Sequence, residues 1–315
     1  MPLKAMVLCA GLGTRLRPLT YKRPKPLIPV LNRPILYHIF DSLSQLGVVD
    51  VIINLHHMTD FFKRYLLERP HETIVPSVSV EENILGTGGG IKRAQWFLDD
   101  TFILLNGDTI SSVEIGEALK FHRQKKALST LVLLESQYAP RVTLTEGGQV
   151  KEISRQDRKG YYTFSGIQVI EPELMNSIEP NRFVDIMDVY RGLISSGCKE
   201  IYGVFCPFRY WRDLGTIRDY IACNKELLLM GTENEREGET GRGTLVLRGD
   251  MSLIEEGVSL EEWAILGSGS KIRRGAKIVR SILWENVVVS TNVRVVDSII
   301  SDGLIVDKDM ISEAI

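Results

Sequence analysis

The sequence lacks several features that define common protein classes. Nowhere in its 315 residues do 18 apolar residues follow one another, so no membrane-spanning helix is predicted. The four cysteines form no C-x-x-C pair, and free thiols in a reducing cytoplasm are expected. The net charge is only −2, which argues against a protein that binds nucleic acid or membrane surfaces.

The first 40 residues lack acidic side chains altogether. Seven basic residues lie in this stretch, interleaved with glycine and proline: Lys4, Arg15, Arg17, Lys22, Arg23, Lys25 and Arg33. So much local positive charge in a nearly neutral chain predicts a site for a compact, strongly anionic ligand. A basic surface that only faces solvent is the alternative.

Apolar segments with strand and helix patterns alternate up to about residue 230. Residues 4–10, 51–55 and 102–105 are predicted strands, and residues 34–46 and 91–98 are predicted helices. This alternation is typical of an α/β fold with a mostly parallel sheet. Residues 141–170 differ, because short alternating segments broken by glycines predict an antiparallel insertion on that sheet.

Residues 231–243 are rich in glycine and acidic residues and contain no aliphatic side chain, so they are interpreted as a linker. Beyond it, residues 264–272 recur as 281–289 and 298–306, at intervals of 17 residues. Short apolar segments at a fixed period predict a parallel β-helix, in which each coil buries its apolar row on the next. A β-sandwich is the alternative, but it predicts no fixed period.

Glycines directly follow the first predicted strand, in the run AGLGTRLRPLT from Ala10. Gly11 and Gly13 would let backbone N–H groups approach a phosphate chain. A dinucleotide-binding fingerprint would need a third glycine where Leu16 stands, and the Gly-Lys-Ser/Thr of a P-loop is absent. Arg15 follows at once, and prolines flank Lys25, which predicts a cation held in a fixed place. A surface turn that happens to be basic is the alternative.

Five ordered motifs carry a resemblance to a known family. They are GLGTRLRPLTYKRPKPLIPV from Gly11, LGTGG from Leu85, LNGD from Leu105, YTFSG from Tyr162 and WRDLGT from Trp211. Together they resemble the sugar-1-phosphate nucleotidylyltransferases, or NDP-sugar pyrophosphorylases. The glycine-rich and YTFSG stretches are similar to those of N-acetylmuramate-1-phosphate uridylyltransferase and of mannose- or heptose-1-phosphate guanylyltransferases.

The resemblance implies a fold and a domain order. A Rossmann-like nucleotidyltransferase domain with a mixed, mostly parallel sheet would span residues 1–230. The linker 231–243 would then lead to a short left-handed parallel β-helix over residues 244–315. This β-helix would serve contacts in a homo-oligomer or allosteric binding.

The resemblance also implies an activity. The enzyme would join a nucleoside triphosphate, GTP or UTP, to a sugar 1-phosphate and release pyrophosphate, as a step of nucleotide-sugar biosynthesis for cell-envelope polysaccharide. No protein nucleophile is needed, since the attacking phosphate oxygen is already anionic. Arg15 and Lys25 would be catalytic, and Asp108 and Asp213 would bind Mg²⁺.

Two groups of binding residues follow from the same motifs. The nucleotide would be bound by Gly11, Leu12, Gly13, Thr14, Glu81, Gly86, Thr87 and Gly88. The sugar phosphate would be bound by Asn106, Gly107, Arg155, Ser165 and Gly166.

Two positions bear on specificity. A carboxylate at Glu81 could accept both N–H donors of guanine, which favours GTP over UTP, and a solvated strand end is its alternative. Arg155 and Gln156 stand where many members of the family have a Glu-Lys pair, so Arg155 or Lys159 would contact the phosphate instead.

Two rival functions remain open at this stage. A non-catalytic nucleotide-sugar-binding regulator would be expected to have lost Arg15, Lys25, Asp108 or Asp213, and all four are present. An acyltransferase β-helix would need a histidine, but the chain contains none after His122.

Overall fold

The computed structural model describes residues 2–136, 138–234 and 244–315. The helices in these residues are α1 (Ile35–Gln45), α2 (Thr59–Glu68), α3 (Gly86–Arg93), α4 (Ile115–Lys125), α5 (Ile186–Ser195) and α6 (Ile217–Asn234). Two compact units result. The first contains the chain up to Leu12 and Leu36–Arg212, and the second contains Gly13–Ile35 and Asp213–Ile315.

The strands are numbered in chain order. They are β1 (Lys4–Leu8), β2 (Pro29–Val30), β3 (Arg33–Pro34), β4 (Asp50–Leu55), β5 (Ser77–Val80), β6 (Phe102–Asn106), β7 (Thr109–Ser111), β8 (Ser129–Leu134), β9 (Pro140–Leu144), β10 (Val150–Ile153), β11 (Tyr162–Ile170), β12 (Ile201–Phe205), β13 (Trp211–Asp213), β14 (Leu245–Arg248), β15 (Leu253–Ile254), β16 (Ser259–Leu266), β17 (Lys271–Ile272), β18 (Lys277–Leu283), β19 (Val288–Val289), β20 (Arg294–Val296), β21 (Ile299–Ile300), β22 (Ile305–Val306) and β23 (Met310–Ile311).

The first unit is built on a nine-stranded sheet in which β1 lies between β4 and β6, parallel to both. Strand β5 continues the parallel set beyond β4. The residues of β1 and β6 are almost entirely apolar and buried, as expected of strands covered on both faces. The predicted α/β fold with a mostly parallel sheet is confirmed.

The predicted antiparallel insertion is also present. Strand β11 runs antiparallel to β6, β8 and β9, and β9 pairs antiparallel with β10. Strand β12 pairs parallel with β8 at the same end of the sheet. The sheet is therefore mixed: β6, β1, β4 and β5 form one parallel set, and β8 and β12 form a separate parallel pair.

The helix predicted over residues 91–98 was placed too late in the chain. Helix α3 begins at Gly86 and ends at Arg93, although glycine is a poor helix former. Tertiary packing explains the difference. A Cβ on Gly89 would lie 2.5 Å from the carbonyl oxygen of Arg182, and one on Gly88 would lie 3.0 Å from Val184 Cγ1. This close approach requires glycine, so packing overrides helix propensity here.

The apolar core of the first unit lies between the sheet and its helices. Its largest buried members include Phe102 and Tyr190, and strands, α3 and α5 all contribute to it. Burying side chains of this size stabilises the fold by about 1.5–3 kcal/mol each. None of the helices in the described ranges is long and apolar enough to span a membrane.

The second unit joins the basic segment near the N-terminus to the C-terminal part of the chain. Residues Gly13–Ile35 form three 3-10 turns (Thr14–Leu16, Leu19–Tyr21 and Lys25–Leu27) and the β2–β3 hairpin. Helix α6 extends to Asn234, into the predicted linker. The rest of that linker, residues 235–243, lies outside the described residues, so the predicted boundary there stays a prediction.

The C-terminal strands form a parallel β-helix, as the repeat predicted. Strand β16 pairs parallel with β18 at an interval of 18 residues up to Glu261 and of 17 residues from Ala264 on, and β18 continues to β20 and β21 at an interval of 17. The structure adds an earlier coil, since β14 pairs with β16 and β15 with β17. The paired residues of this earlier coil are 18 positions apart. A search of the sequence for a fixed period of 17 therefore does not detect this coil.

The corners of the β-helix are turned by residues with positive φ that recur from coil to coil. One corner is formed by Glu262, Arg280 and Asp297, with φ values of 59°, 45° and 49°. Their side chains pair, because Arg280 donates to Asp297 at 2.6 and 2.7 Å and also contacts Glu262. This ladder of ion pairs offsets part of the cost of left-handed backbone at non-glycine residues.

Another position in the β-helix requires glycine because adjacent coils approach closely. A Cβ on Gly267 would lie 2.4 Å from the carbonyl carbon of Trp284 in the next coil. Trp284 is itself almost completely buried. Any larger residue at 267 must push two coils apart.

We expect Gly267→Ala to lower the free energy of unfolding by about 1–3 kcal/mol through overpacking against backbone that cannot yield. Urea denaturation followed by circular dichroism measures this. The matched control is Gly192→Ala in α5, where a Cβ meets nothing within 4 Å. That control should be neutral or slightly stabilising, and an equal loss in both variants would contradict the packing argument.

Candidate functional site

The parallel strands of the first unit end at one edge of the sheet. Leu8 of β1 is in register with Asn54 of β4 and with Asn106 of β6, and β5 ends next to β4 at Val80. The segments that follow these strands therefore emerge together. The carboxyl edge of a parallel sheet is where ligands of α/β proteins bind.

The β6 end of this edge is tightly packed. Gly107 N donates to Leu8 O at 3.0 Å, and a Cβ on Gly107 would lie 2.5 Å from that same oxygen. Gly166 of β11 has φ +84°, and a Cβ there would lie 2.8 Å from Asn106 Nδ2. The structure thus brings the predicted sugar-phosphate residues Asn106, Gly107 and Gly166 together.

Asp108 follows in the turn between β6 and β7 and is half-buried. Its charge acts on the thiol of Cys9, just past the end of β1: burial, and secondarily the Asp108 carboxylate, raise the pKa of Cys9 far above its ordinary value. Cys9 is therefore an inert buried thiol. Asp108 lies at the junction of β1 and β6, at the carboxyl edge of the sheet.

Glu81 follows β5 and is buried, with 1% of its surface exposed. Its Oε1 accepts from Asn54 Nδ2 at 2.7 Å, and its Oε2 accepts from Leu85 N at 2.9 Å. Asn54 Oδ1 in turn accepts from Cys9 N at 2.8 Å. Glu81 is therefore no solvated strand end. It connects the segment after β5 to the segment after β1.

Gly86, Thr87 and Gly88 form the first turn of α3, ahead of the helix that the sequence predicted from residue 91. Thr87 Oγ1 accepts from Ile186 N at 2.8 Å and donates to Asp185 at 3.3 Å. Asp185 is the N-cap of α5, and its side chain also accepts from Met187 N. Thr87 thus joins the first turns of α3 and α5.

Ser165 and Arg155 lie in different surroundings. Ser165 is buried, its hydroxyl accepts from Ile167 N at 3.2 Å, and its carbonyl accepts from Trp211 Nε1 at 2.8 Å. Arg155 is exposed and pairs with Asp188 of α5 at 2.7 Å. Ser165 adjoins Gly166 at the β6 edge, whereas Arg155 forms its ion pair with a residue of α5.

In the second unit, the glycine turn packs against the predicted phosphate-binding lysine. Gly13 has φ +63°, and a Cβ there would lie 2.8 Å from Thr20 Cγ2 and 3.2 Å from Lys25 Cβ. Thr20 Oγ1 donates to Gly13 O at 2.9 Å. Lys25 is 8% exposed and begins a 3-10 turn after Pro24. The glycine motif and the lysine motif therefore form one compact loop.

Arg15 lies in the same loop and is exposed, as is Thr14. A Cβ on Gly215 would lie 3.0 Å from Arg15 Nη1 and 3.2 Å from Asp213 Oδ2. The structure thus brings the predicted catalytic arginine and the predicted metal-binding Asp213 to the same point. Gly11 and Leu12, also exposed, precede this loop at the end of the first unit.

Sequence reasoning missed Asn54, which holds both Glu81 and the Cys9 amide. The available signal was a polar amide at the end of the apolar strand β4. It also missed Thr20, which closes the glycine turn. An isolated threonine in a basic loop carries no pattern that would reveal this contact.

Comparison with known proteins gives the class. The sequence model of the nucleotidyl transferase family matches residues 4–229, and the chain belongs to this family. The fold agrees with this, as the structure of HddC from Yersinia pseudotuberculosis superposes with a TM-score of 0.62. That pair is 20% identical over 71% of this chain and 99% of HddC.

Particular relatives are similar along nearly the whole chain. The UTP–glucose-1-phosphate uridylyltransferase of Synechocystis sp. is 29% identical, covering 97% of this chain and 89% of the relative. The mannose-1-phosphate guanylyltransferase of Mycobacterium tuberculosis is also 29% identical, covering 92% and 80%.

We expect Glu81→Gln to lower the free energy of unfolding by about 1–3 kcal/mol, because an amide cannot accept from both Asn54 and Leu85 N. The exposed neighbour Glu82 provides the control, and Glu82→Gln should leave stability unchanged. Both are measured by urea denaturation. Equal stabilities of the two variants would show that the buried hydrogen bonds of Glu81 contribute nothing.

Proposed function

We propose that this protein is a sugar-1-phosphate nucleotidylyltransferase, which joins a nucleoside triphosphate to a sugar 1-phosphate and releases pyrophosphate. The observation that carries the proposal is the compact loop in which Gly13 packs on Lys25 while Arg15 stays exposed. Two cations held on one glycine turn suit a polyphosphate chain. The activities named for the Synechocystis and Mycobacterium relatives support the same reaction.

The chemistry asks for positioning and charge neutralisation. An oxygen of the sugar phosphate attacks the α-phosphorus in line, and pyrophosphate leaves. Arg15 would stabilise the leaving group, since a guanidinium is always charged and grips two phosphate oxygens. Lys25, which is buried and flanked by prolines, would align the phosphates. Backbone N–H groups of Gly11, Leu12, Gly13 and Thr14 would contact the nucleotide.

We also propose Mg²⁺ as the cofactor, with Asp108 and Asp213 as its ligands. In the ranges that the structure describes, no three His, Cys, Asp or Glu side chains are grouped as a metal site. A site with few carboxylates, completed by water and phosphate oxygens, fits Mg²⁺. When bound, the cation would neutralise the phosphates that react.

For the base, we propose GTP, with UTP as the alternative. The buried Glu81 would act by holding the Leu85 amide and the start of α3, where Gly86, Thr87 and Gly88 lie, rather than as an exposed contact. Several relatives are named mannose-1-phosphate guanylyltransferases, including one from Arabidopsis thaliana that covers 93% of this chain. Mannose or heptose 1-phosphate is the corresponding sugar substrate.

We assign the sugar phosphate to the β6 edge, where Asn106, Gly107, Ser165 and Gly166 adjoin. Arg155, which would have to leave its ion pair with Asp188, and Lys159 are the two candidates for its phosphate. The reaction would belong to nucleotide-sugar biosynthesis in the cytoplasm, supplying cell-envelope polysaccharide. The β-helix stays our candidate for contacts in a homo-oligomer.

We expect the purified protein to release pyrophosphate when given Mg²⁺, GTP and mannose or heptose 1-phosphate. A coupled pyrophosphate assay with four nucleoside triphosphates and a panel of sugar 1-phosphates measures this. Omission of the sugar phosphate is the control. Nucleotide binding by calorimetry without turnover for any pair would favour a regulatory binding protein instead.

We expect Arg15→Ala and Asp108→Asn each to lower kcat by about 10²–10³, because each removes a charge that the transition state needs. Lys22→Ala is the matched control, since Lys22 is an exposed base of the same loop. It should retain kcat within a factor of two to three. Full activity of either site variant, in protein with wild-type circular dichroism, would exclude the role given to that residue.

A further inference from the structure

Arg23 stands two residues before Lys25 and is buried, with 4% of its surface exposed. It forms a two-pronged ion pair with Asp302 of the β-helix: Nε donates to Oδ2 at 2.5 Å, and Nη2 donates to Oδ1 at 2.8 Å. Nη2 also lies 3.1 Å from Oε1 of Glu285, one coil earlier. A basic side chain of the loop is thus bound between two coils.

The carboxylate partner is itself fixed in the β-helix. Asp302 Oδ1 also accepts from Glu285 N at 3.1 Å, so the aspartate bridges its own coil and the previous one. Burial raises the pKa of Asp302, and Arg23 acts in the opposite direction. Burying the Asp302 carboxylate costs desolvation free energy. Its ion pair with the Arg23 guanidinium offsets that cost, because a guanidinium can bind both carboxylate oxygens.

A second contact holds the loop on the other side of Lys25. The indole of Trp284 lies 5.6 Å from the Arg23 guanidinium, and its Nε1 donates to the hydroxyl of Tyr220 at 2.9 Å. That hydroxyl donates to Pro29 O at 2.5 Å. The loop is therefore fixed before Lys25 by Arg23 and after it by Pro29.

We infer that Arg23 is a positioning residue for Lys25, and that Asp302 and Glu285 of the β-helix set its place. The inference rests on the phosphate-binding role proposed above for Lys25. Arg23 is two residues before Lys25, and Lys25 packs against Gly13. A displacement of Arg23 would therefore displace Lys25 and the glycine turn as well. Misplacement of a reacting group by about 1 Å can cost about 10²-fold in rate.

The β-helix contains a matched ion pair that does not involve the loop. Arg280 and Asp297 form the same two-pronged contact at 2.6 and 2.7 Å between adjacent coils. These two side chains are more exposed than Arg23 and Asp302, so the stability of each variant is measured as well and kcat is compared for folded protein. A positioning role would then lower kcat only in Asp302→Asn.

The test compares Asp302→Asn and Arg23→Lys with the control Asp297→Asn. We expect kcat to fall about 10- to 100-fold in the first two, with KM for the nucleotide changed less than threefold. The control should stay within twofold of wild type. Equal kcat in all three variants and wild type would overturn the inference, and so would an equal loss in all three.

Hydrogen exchange followed by mass spectrometry provides a readout that needs no substrate. In Asp302→Asn and Arg23→Lys, amides of residues 19–28 should exchange at least tenfold faster, while those of residues 259–283 keep their protection. Unchanged exchange in the loop, or faster exchange throughout the β-helix, would contradict a positioning role. A wild-type enzyme without turnover would refute the proposed function, whereas the exchange result would still decide the coupling.

Discussion

Strand β1 is hydrogen-bonded in parallel on both sides, and this constraint fixes the chemistry of the first unit. Because Leu8 is in register with Asn54 and Asn106, three strands end at the same level and their following segments share one edge. The ladder continues one residue further through Gly107 N and Leu8 O. Only glycine can approach so closely, and Asp108 is thereby brought to the end of β1.

Buried polar contacts hold loops within each of the two units. Glu81 is hydrogen-bonded to Asn54 and Leu85 N, and Arg23 is paired with Asp302. Removing one partner of a buried ion pair such as Arg23–Asp302 costs about 3–5 kcal/mol, because the other charge is left uncompensated. Loss of a hydrogen bond to the buried Glu81 costs about 1–3 kcal/mol. These contacts restrict each loop to one conformation, which phosphate chemistry needs more than it needs a strong base.

The β-helix supports the loop that carries Arg15 and Lys25. In the second unit, the loop that carries Arg15 and Lys25 rests on helix α6 through Pro29 and Tyr220, and on the coils through Arg23. The repeat therefore supports the residues proposed to bind phosphate. The apolar side chains of this loop, among them Leu19, Leu27 and Ile28, are fully buried, so packing and these polar contacts together hold its shape.

The sequence by itself determined the α/β alternation, the 17-residue repeat of the later β-helix coils and the motifs typical of nucleotidyl transferases. Those features depend on local periodicity and on residue type. Only the tertiary structure decided that Gly86–Arg93 is a helix, that Glu81 is buried and that Arg23 pairs with Asp302. Each of these depends on contacts between residues distant in sequence, whose energies exceed local propensity and leave no periodic pattern.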